Sequence, residues 1–394
     1  MRVQFAPSGI GLGHVGRCVP IARRLEKHGA KILFSTYLEG VQYARQEGFT
    51  TVEVPPLKIA AKPDGTVDFR QSMVYPGPFL TSFTVVEQVN AEIEVMKAFE
   101  PDVVVSDSRG SPLIAAKLLQ IPGVSILNQF QIIIPRTKVF LRLARLADAG
   151  SLAVIGKIWT SVKHVLIPDF PAPYTISAGN LRIPDFYRKR VKFIGPILPV
   201  YPKELPSEME LREKLELSHD KPLIFAPISG PIEQRAFFTD ILQRIFKEFP
   251  EDYQIVVSLG YPNASTHPIK KNNVTVYKWL PNRFDYLKAC DLVIARAGHG
   301  TLMQSICYGK PMILVPTPSQ TEQLNNTRRA VALGIAETVQ QDNLNRQALL
   351  AAVQKILEAD KLKARIKEIQ EDVIKLNGLE TATQIIEAAA ITDK

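Results

Sequence analysis

Apolar residues recur along the chain in short runs, each followed by a turn and then by a stretch with helical spacing. Residues 1–8 (MRVQFAPS) and 101–107 (PDVVVSD) are predicted strands, and residues 292–295 form a short apolar run of the kind typical of a buried parallel strand. Residues 302–309 (LMQSICYG) place apolar groups at helical spacing and stop at a glycine. The repeated order of strand, turn and helix predicts parallel βαβ units and therefore an α/β fold.

Two stretches rich in proline and glycine break this pattern. Residues 51–80 show no clear period, which predicts a loop, and long loops in compact domains are often functional. Residues 188–209 carry four prolines after Gly195, as interdomain linkers do. The sequence therefore predicts a first domain of residues 1–198 and a second that begins at 199.

The composition agrees with a soluble protein of two ordinary domains, with 394 residues, 46% hydrophobic and 22% charged. Cys18, Cys290 and Cys307 have no metal-like spacing, and the six histidines are scattered, so we expect a reducing compartment and no metal. The chain opens directly on a strand and has no apolar run of 18 residues. We therefore expect a cytoplasmic protein that does not cross a membrane.

The net charge of +9 is concentrated in one segment. Residues 136–192 hold eleven Lys or Arg against three Asp, a balance of +8. Aromatic residues are not interleaved as base-stacking proteins require, which favours an anionic lipid surface over nucleic acid. Between 132 and 165, apolar groups alternate with basic ones at near-helical spacing, so this segment is either a membrane-surface helix or a core-packed one. The basic residues expected to touch the membrane are Arg136, Lys138, Arg142 and Arg145.

A glycine-rich loop follows the first strand, at the edge where open α/β sheets bind ligands. Its glycines keep the loop free of side chains, and His14 lies within it. A dinucleotide-binding fingerprint is the obvious rival, but the third glycine is missing from its place and no acidic residue closes the next strand. A histidine here is suited to removing a proton near neutral pH, with a purely structural role in the loop as the alternative.

Asp107 ends the predicted strand 103–107 and reaches the same sheet edge as His14. A carboxylate there would orient the imidazole, as in a catalytic triad. The alternative is that Asp107 caps the helix that follows it. The sequence leaves both roles open.

A second glycine-rich turn follows the strand 292–295 and opens a helix, which makes it a candidate phosphate site. Gln304 lies three residues beyond Thr301, so both side chains share one helix face. After the next strand, a predicted loop carries polar groups suited to hydroxyls. Together these features predict a nucleotide-sugar site, although such turns also occur for packing reasons alone. The residues concerned are Gly298, His299, Gly300, Thr301, Gln304, Glu322, Gln323 and Asn326.

At these residues the chain resembles a known group of enzymes. ARAGHGTLMQS, residues 295–305, resembles the donor-site signature of the MurG-like UDP-N-acetylglucosamine transferases, and EQLNN, residues 322–326, resembles the end of the glucuronosyltransferase signature. The first glycine loop resembles the MurG-like acceptor loop, with His14 on the motif histidine. One departure is that Gln304 stands where the family usually has glutamate. An amide can still bind ribose hydroxyls, but it lacks the charge.

The resemblance implies a GT-B fold, with two Rossmann-like domains facing across a cleft. Residues 1–198 would bind the acceptor and the membrane, residues 199–370 the nucleotide sugar, and a helix within 371–394 would pack toward the first domain. By resemblance, the acceptor and phosphate loop includes Gly11, Gly13 and Arg17. The further donor-binding residues implied are Ser229, Gly230, Trp279, Leu280, Asn282 and Arg296.

The resemblance also implies a reaction: inverting, metal-independent transfer of N-acetylglucosamine from UDP-GlcNAc to a dolichyl- or polyprenyl-diphosphate-GlcNAc. The β-linked product would be an N-glycan precursor made by an archaeal-type single chain on the cytoplasmic face of the membrane. His14 would be the base, Asp107 would orient it, and no cofactor would be needed. A membrane partner or a homo-oligomer is compatible with this picture. The alternatives are a transferase forming another glycolipid, a UDP-GlcNAc 2-epimerase and a non-catalytic sugar-nucleotide-binding subunit.

Overall fold

The computed structural model describes residues 1–56, 77–130, 156–181 and 183–392, with backbone alone for 77–83 and 392. The chain forms two compact units. The first ends at Ile197 and resumes at Leu376, and the second runs from Leu198 to Lys375. The chain returns to the first unit slightly later than the predicted boundary at 371, because a helix of the second unit continues to Val373.

The first unit is built on a parallel sheet of seven strands within the described residues. These are β1 (Arg2–Pro7), β2 (Lys31–Thr36), β3 (Thr51–Glu53), β4 (Val103–Asp107), β5 (Gly123–Ile126), β6 (His164–Ile167) and β7 (Val191–Phe193). Their order is β3-β2-β1-β4-β5-β6-β7, so the direction of winding reverses between β1 and β4. Pro7 pairs with Asp107 and Asp107 with Ile126, which brings three carboxyl ends to one edge. Ligands of open α/β sheets bind at such switch points.

Helices cover this sheet. They are α1 (Gly13–Lys27), α2 (Glu39–Gln46), α3 (Gly77–Phe99), α4 (Ser111–Leu118), α5 (Ala178–Leu181) and a 3₁₀ helix (Asp185–Arg190). On α1 the buried residues Val15, Cys18, Ala22 and Leu25 recur at helical spacing. They join Phe5 and other sheet residues in one apolar core. Fully burying one such aliphatic side chain stabilises the fold by about 1.5–3 kcal/mol.

The second unit repeats the architecture. Its strands are β8 (Leu223–Pro227), β9 (Gln254–Ser258), β10 (Ile269–Lys271), β11 (Val274–Tyr277), β12 (Leu292–Ala295), β13 (Met312–Leu314) and β14 (Ala336–Thr338). Their order is β10-β11-β9-β8-β12-β13-β14, parallel except for β10 against β11. The winding reverses between β8 and β12, so the loops after these strands share one edge.

The helices that follow in sequence surround the second sheet, with the last one as the exception. They are α6 (Glu208–Lys214), α7 (Ile232–Phe246), α8 (Arg283–Ala289), α9 (His299–Cys307), α10 (Thr321–Ala332), α11 (Arg346–Glu358), α12 (Asp360–Val373) and α13 (Gly378–Thr392), with 3₁₀ helices Pro202–Glu204 and Gln341–Asn343. α13 belongs to the first unit, where Leu379, Ala382 and Ile386 are buried in the same core as α1.

The structure contradicts one sequence expectation and does not describe the residues of another. The EQLNN segment, predicted as a loop, is helical, since α10 begins at Thr321, and that prediction was wrong. The predicted membrane-contact residues Arg136, Lys138, Arg142 and Arg145 lie outside the described residues. In the described part of the chain, no helix is both long enough and apolar enough to cross a bilayer.

Candidate active site

The first unit brings His14 and Asp107 together at the carboxyl edge of its sheet. His14 lies in the first turn of α1, and its Nδ1 is 2.8 Å from Oδ1 of Asp107. The carboxylate is fully buried, whereas 26% of the His14 side chain is exposed. Asp107 does not cap the next helix, because α4 begins after Gly110 without a side-chain cap. The imidazole is therefore bonded to a carboxylate through Nδ1, and part of the side chain is exposed to solvent.

Arg17 completes this cluster. Its Nη2 donates to Oδ1 of Asp107 at 2.5 Å, and its Nε donates to Oδ2. The same Nη2 lies 3.1 Å from Oδ1 of Asn128, which follows β5. The resemblance put Arg17 in the acceptor and phosphate loop, but its guanidinium is bound to Asp107. Asn128 was not foreseen, although a polar residue directly after a buried strand is a signal that could have found it.

The cluster controls the charge of Asp107. Burial by itself raises the pKa of this carboxyl, but the charges of Arg17 and His14 and their hydrogen bonds outweigh burial and lower the pKa to about 2. Cys18 lies nearby, with Sγ 3.8 Å from Oδ2 of Asp107. Burial, followed by the charge of Asp107, raises the pKa of the Cys18 thiol. At neutral pH the site therefore holds an ionised carboxylate beside a protonated thiol.

The glycine loop before His14 is shaped by close approach. A Cβ on Gly9 would lie 1.7 Å from the carbonyl oxygen of Tyr37, so only glycine fits there. Gly11 has φ +68°, a conformation that favours glycine. A Cβ on Gly13 would meet nothing within 4 Å, and α1 has neither a side-chain cap nor an acidic residue in its first turn. The start of α1 beside His14 therefore has open space at Gly13 and, in its first turn, no acidic side chain that would repel an anion.

The start of α9 in the second unit likewise lacks a side-chain cap and an acidic residue. Gly298 is its N-cap without a side-chain cap, and the first turn carries no acidic residue. A Cβ on Gly298 or Gly300 would meet nothing within 4 Å. The open space at these two glycines and the positive end of the helix dipole are thus available to an anion. Thr301 and Gln304, one turn apart on this helix, are both partly exposed.

Ser229 and Gly230 follow β8, the strand beside β12, and are partly exposed. Gly230 has φ +114°, which a residue with a side chain adopts only with strain. Because β8 and β12 are parallel neighbours, this turn and the start of α9 lie at the same sheet edge. The structure thus brings the two predicted diphosphate-binding turns of the second unit to one side of its sheet.

Arg296 has an internal role instead of the donor contact expected from the resemblance. It is 2% exposed, and its terminal nitrogens donate to the Val315 carbonyl at 3.0 Å and to Oε1 of Gln341 at 2.6 Å. The guanidinium carbon lies 4.1 Å from the centre of the Phe238 ring. Burial lowers the pKa of Arg296 to about 9, so it stays charged at neutral pH. It links β12 to neighbouring loops.

Gln323 and Asn326, expected to bind donor hydroxyls, are buried in α10 and hold neighbouring loops. Oε1 of Gln323 accepts from the Thr317 N–H at 2.8 Å. Nδ2 of Asn326 donates to the Ala297 carbonyl at 3.1 Å, next to the N-cap of α9. Glu322 is partly exposed in the first turn of α10. Two of the three polar residues thus shape the site from inside.

The remaining donor-site candidates vary in exposure. Leu280 is 4% exposed, Trp279 is partly exposed, and Asn282 is exposed at the start of α8. His299 is buried at the first position of α9. Trp279 and Asn282 therefore present surface to a ligand, while Leu280 and His299 belong to the packing beneath it.

A basic cavity of about 470 Å³ lies elsewhere on the first unit. Its lining residues are Lys117, Lys157, Thr160, Ser161, Phe186, Tyr187 and Arg190. Phe186 is 74% exposed. Among the described residues, no carboxylate pairs with the three cations of this lining. Three uncompensated cations beside an exposed aromatic ring form a surface suited to anions. In the same described part of the chain, no group of three His, Cys, Asp or Glu is arranged to hold a metal ion.

Comparison with known proteins gives one family match and relatives along the whole chain. Residues 230–379 match the glycosyltransferase family 28 C-terminal domain. An uncharacterized glycosyltransferase of Methanosarcina mazei is 25% identical, with 99% of each chain covered. The UDP-N-acetylglucosamine–N-acetylmuramyl-(pentapeptide) pyrophosphoryl-undecaprenol N-acetylglucosamine transferase of Oenococcus oeni is 24% identical, covering 98% of this chain and 95% of that protein. Spinosyn rhamnosyltransferase complexed with thymidine diphosphate is 16% identical at a TM-score of 0.66, covering 98% of this chain and 100% of that one.

The full-length relatives and the solved structures cover 98–99% of the chain, and the solved structures show its fold at TM-scores of 0.66. The predicted fold class is therefore confirmed. The chain has the GT-B glycosyltransferase fold, and its second unit carries a match to the C-terminal domain of glycosyltransferase family 28.

Proposed function

We propose that this protein is an inverting glycosyltransferase that moves N-acetylglucosamine from UDP-GlcNAc to a lipid-linked acceptor. The observation that carries the proposal is the cluster of His14, Asp107 and Arg17 at the carboxyl edge of the first sheet. A partly exposed imidazole tied to a buried, ionised carboxylate has the two features that a general base requires. A protein that only binds sugar nucleotides has no need of such a pair.

In the proposed reaction, the acceptor hydroxyl oxygen attacks the anomeric carbon of the donor sugar. A bond forms between this oxygen and the carbon while the bond from the carbon to the diphosphate oxygen breaks. The hydroxyl proton passes to Nε2 of His14, and UDP leaves with the electron pair. Attack from the face opposite the leaving group inverts the configuration, so an α-linked donor gives a β-linked product.

The second unit would bind the donor through backbone groups. The open start of α9 and the Ser229–Gly230 turn offer N–H groups to the diphosphate, whose negative charge grows as the bond breaks. Gln304, partly exposed on α9, would bind ribose hydroxyls through its amide. The spinosyn rhamnosyltransferase binds thymidine diphosphate, which supports a nucleoside diphosphate as the leaving group here. We propose that neither a metal ion nor another cofactor is required.

The acceptor would be a polyprenyl or dolichyl diphosphate carrying GlcNAc, and the product an N-glycan precursor. The undecaprenol-linked substrate in the name of the Oenococcus oeni relative supports a lipid-linked acceptor. The basic cavity around Lys157 and Arg190, with Phe186 exposed beside it, supports peripheral contact with an anionic membrane on its cytoplasmic face. A membrane partner or a second copy would strengthen this contact.

The test is a transfer assay with radiolabelled UDP-GlcNAc, a short-chain prenyl-diphosphate-GlcNAc and excess chelator. It compares the unaltered protein with His14→Ala and with His28→Ala, a surface histidine whose Nδ1 contacts Glu387 at 2.7 Å. We expect transfer that survives chelation, persists in His28→Ala and falls by at least about a hundredfold in His14→Ala. Binding of UDP-GlcNAc without transfer would favour the binding subunit, and acceptor-independent conversion of the sugar would favour the epimerase. Either result would overturn the proposal.

A further inference from the structure

We propose that Arg17 is a positioning residue of the same site, which holds Asp107 and thereby fixes His14 in the tautomer whose Nε2 receives the acceptor proton. The catalytic meaning of this inference rests on the proposed function. The placement of the three side chains does not depend on the proposed function. Arg17 would act on the reaction through Asp107 and His14, without touching the reacting atoms.

The contact between Arg17 and Asp107 is a two-pronged ion pair. Nε and Nη2 of one guanidinium donate to the two oxygens of one carboxylate. Bidentate pairs of this kind fix the plane of the carboxylate as well as its position. Because Asp107 is fully buried and Arg17 only 12% exposed, little water competes for either group. The carboxylate oxygen that faces His14 is therefore held in one orientation.

The position of His14 between these groups selects its tautomer. Nδ1 lies 2.8 Å from Oδ1 of Asp107 and 3.0 Å from Nη2 of Arg17. An ionised carboxylate only accepts hydrogen bonds and a guanidinium only donates them, so Nδ1 can bond to one of the two. If Nδ1 carries the hydrogen, it donates a charge-assisted hydrogen bond to the buried carboxylate. If it does not, the lone pair of Nδ1 faces the carboxylate oxygen and the two repel each other. The hydrogen therefore belongs on Nδ1, which leaves the lone pair of Nε2 for the substrate.

Arg17 protects this arrangement by keeping Asp107 ionised. A protonated Asp107 would donate its own hydrogen to Nδ1, and the neutral ring would then carry its hydrogen on Nε2. That tautomer cannot receive a proton at Nε2. The groups that face the Asp107 carboxylate are His14, Arg17 and Cys18 from α1, and among these the guanidinium is the permanent positive charge. Arg17 is thus what prevents the inactive tautomer.

Asn128 extends the support by one residue. Its Oδ1 accepts from Nη2 of Arg17 at 3.1 Å, and it is 5% exposed at the end of β5. The guanidinium is therefore braced from a third strand end. Lysine cannot reproduce this fork, because an ammonium presents one point of charge instead of a planar set of donors. Arg17→Lys keeps the positive charge but loses the two-pronged hydrogen bonding, so it separates the effect of the charge from that of the geometry.

The first test reads the tautomer of His14 directly, by ¹⁵N NMR of protein labelled at histidine. His14→Ala identifies the His14 signals among those of the six histidines. In the unaltered protein we expect a protonated Nδ1 and an unprotonated Nε2. In Arg17→Met we expect the Nε2–H tautomer to appear. An unchanged Nδ1–H tautomer in Arg17→Met would overturn the inference, and this readout requires no transfer activity.

The second test is kinetic, with Arg17→Met, Arg17→Lys and the control Arg23→Met, a more exposed arginine on the same helix. We expect kcat to fall on the order of a hundredfold in Arg17→Met, less in Arg17→Lys and not at all in Arg23→Met, with the KM for UDP-GlcNAc nearly constant. In Arg17→Lys, activity should also be lost at a higher pH on acidification. Full kcat in Arg17→Met would contradict the inference.

If Arg17→Met does not fold, Asn128→Ala takes its place and should give a smaller loss of kcat in the same direction. Absence of this loss would count against the inference. If the unaltered protein transfers no sugar, the proposed function fails. The NMR comparison still decides the role of Arg17.

Discussion

At the residue scale, the charge state of Asp107 links the site to stability. Its pKa in the folded protein is about 2, because Arg17 and His14 outweigh the effect of burial. In the unfolded chain an aspartate has a pKa of about 3.9. A carboxyl whose pKa is depressed by folding contributes stability above its unfolded pKa and loses it as the pH falls toward the folded value. The contribution is on the order of 2–3 kcal/mol at neutral pH.

We therefore predict that Asp107→Asn destabilises the first unit by about 3–5 kcal/mol at pH 7, because it leaves the buried Arg17 without its carboxylate. The penalty should shrink between about pH 4 and pH 2, where the original carboxyl is itself protonated. Urea unfolding followed by the fluorescence of Trp159, in a Trp279→Phe background, measures this unit alone. A penalty that is the same at pH 7 and at low pH would contradict the assignment.

The sequence predicted part of this site and missed the rest for a definite reason. His14 and Asp107 could be paired because both follow strands, and parallel strands share one carboxyl edge. Arg17 and Asn128 could not be connected to them, because the direction of a side chain depends on packing between segments that are 90 or more residues apart. The expectation for Arg296 differs from the structure for the converse reason. A charged residue inside a binding motif suggests contact with a ligand, but the Arg296 side chain binds Gln341.

At the element scale, α9 is a helix whose first turn is left uncapped and without acidic residues. Two other helices are capped, since Ser207 and Asn345 accept from the backbone of the helices they begin, whereas α1 is uncapped like α9. An open start of this kind costs some helix stability and provides an anion site. The uncapped start of α9, with open space at Gly298 and Gly300, is the feature that we propose binds the phosphate.

Gly300→Asp provides the sharpest test of this helix, because it should move stability and binding in opposite directions. A carboxylate in the first turn should stabilise the unit by about 0.3–1 kcal/mol through the helix dipole. The same charge should weaken UDP binding by at least tenfold, about 1.4 kcal/mol. Thermal unfolding and titration calorimetry measure the two effects, with Gly300→Asn as the uncharged control. UDP affinity unaffected by the carboxylate would exclude this helix from the donor site.

Elements with continuous apolar runs were predictable, and those with buried polar groups were not. The strand at 292–295 was predicted at its observed bounds, Leu292–Ala295. α10 was missed because its buried positions include Gln323, Asn326 and Thr327, which hide the helical period from a pattern based on hydrophobicity. Gln323 and Asn326 are polar because they bond to neighbouring loops, and Thr327 bonds to the Gln323 carbonyl of its own helix, so the contacts that hold these loops also hide the helix from the sequence pattern.

At the scale of the whole molecule, the excess of basic charge in the first half was visible in the sequence, but its gathering into one cavity was not. Lys117 reaches the cavity from α4, outside the basic segment, and joins Lys157 and Arg190 there. Only the fold brings such distant cations together. The charge count predicts an anionic partner, and the structure gathers three cations around one cavity.

We predict that Lys157→Glu weakens binding to vesicles containing anionic phospholipid on the order of tenfold, because each cation near such a surface contributes about 1 kcal/mol and reversal counts twice. Lys97→Glu, the same change on the exposed side of α3, should have little effect. Vesicle sedimentation at low and high salt measures both, and the difference should fade as salt rises. Equal loss in both variants would mean that net charge matters and the cavity does not.

The last helix, α13, has a consequence for how the protein is made. Its residues Leu379, Ala382 and Ile386 lie in the core of the first unit, yet they are synthesised only after residues 198–375 of the second unit. The second unit is continuous in sequence and complete before them, so during translation it becomes able to fold ahead of the first. The half that carries His14 must wait with part of its apolar core uncovered. A chain stopped before α13 would thus be released with an incomplete core in the unit that carries His14, so this unit completes its core later than the second.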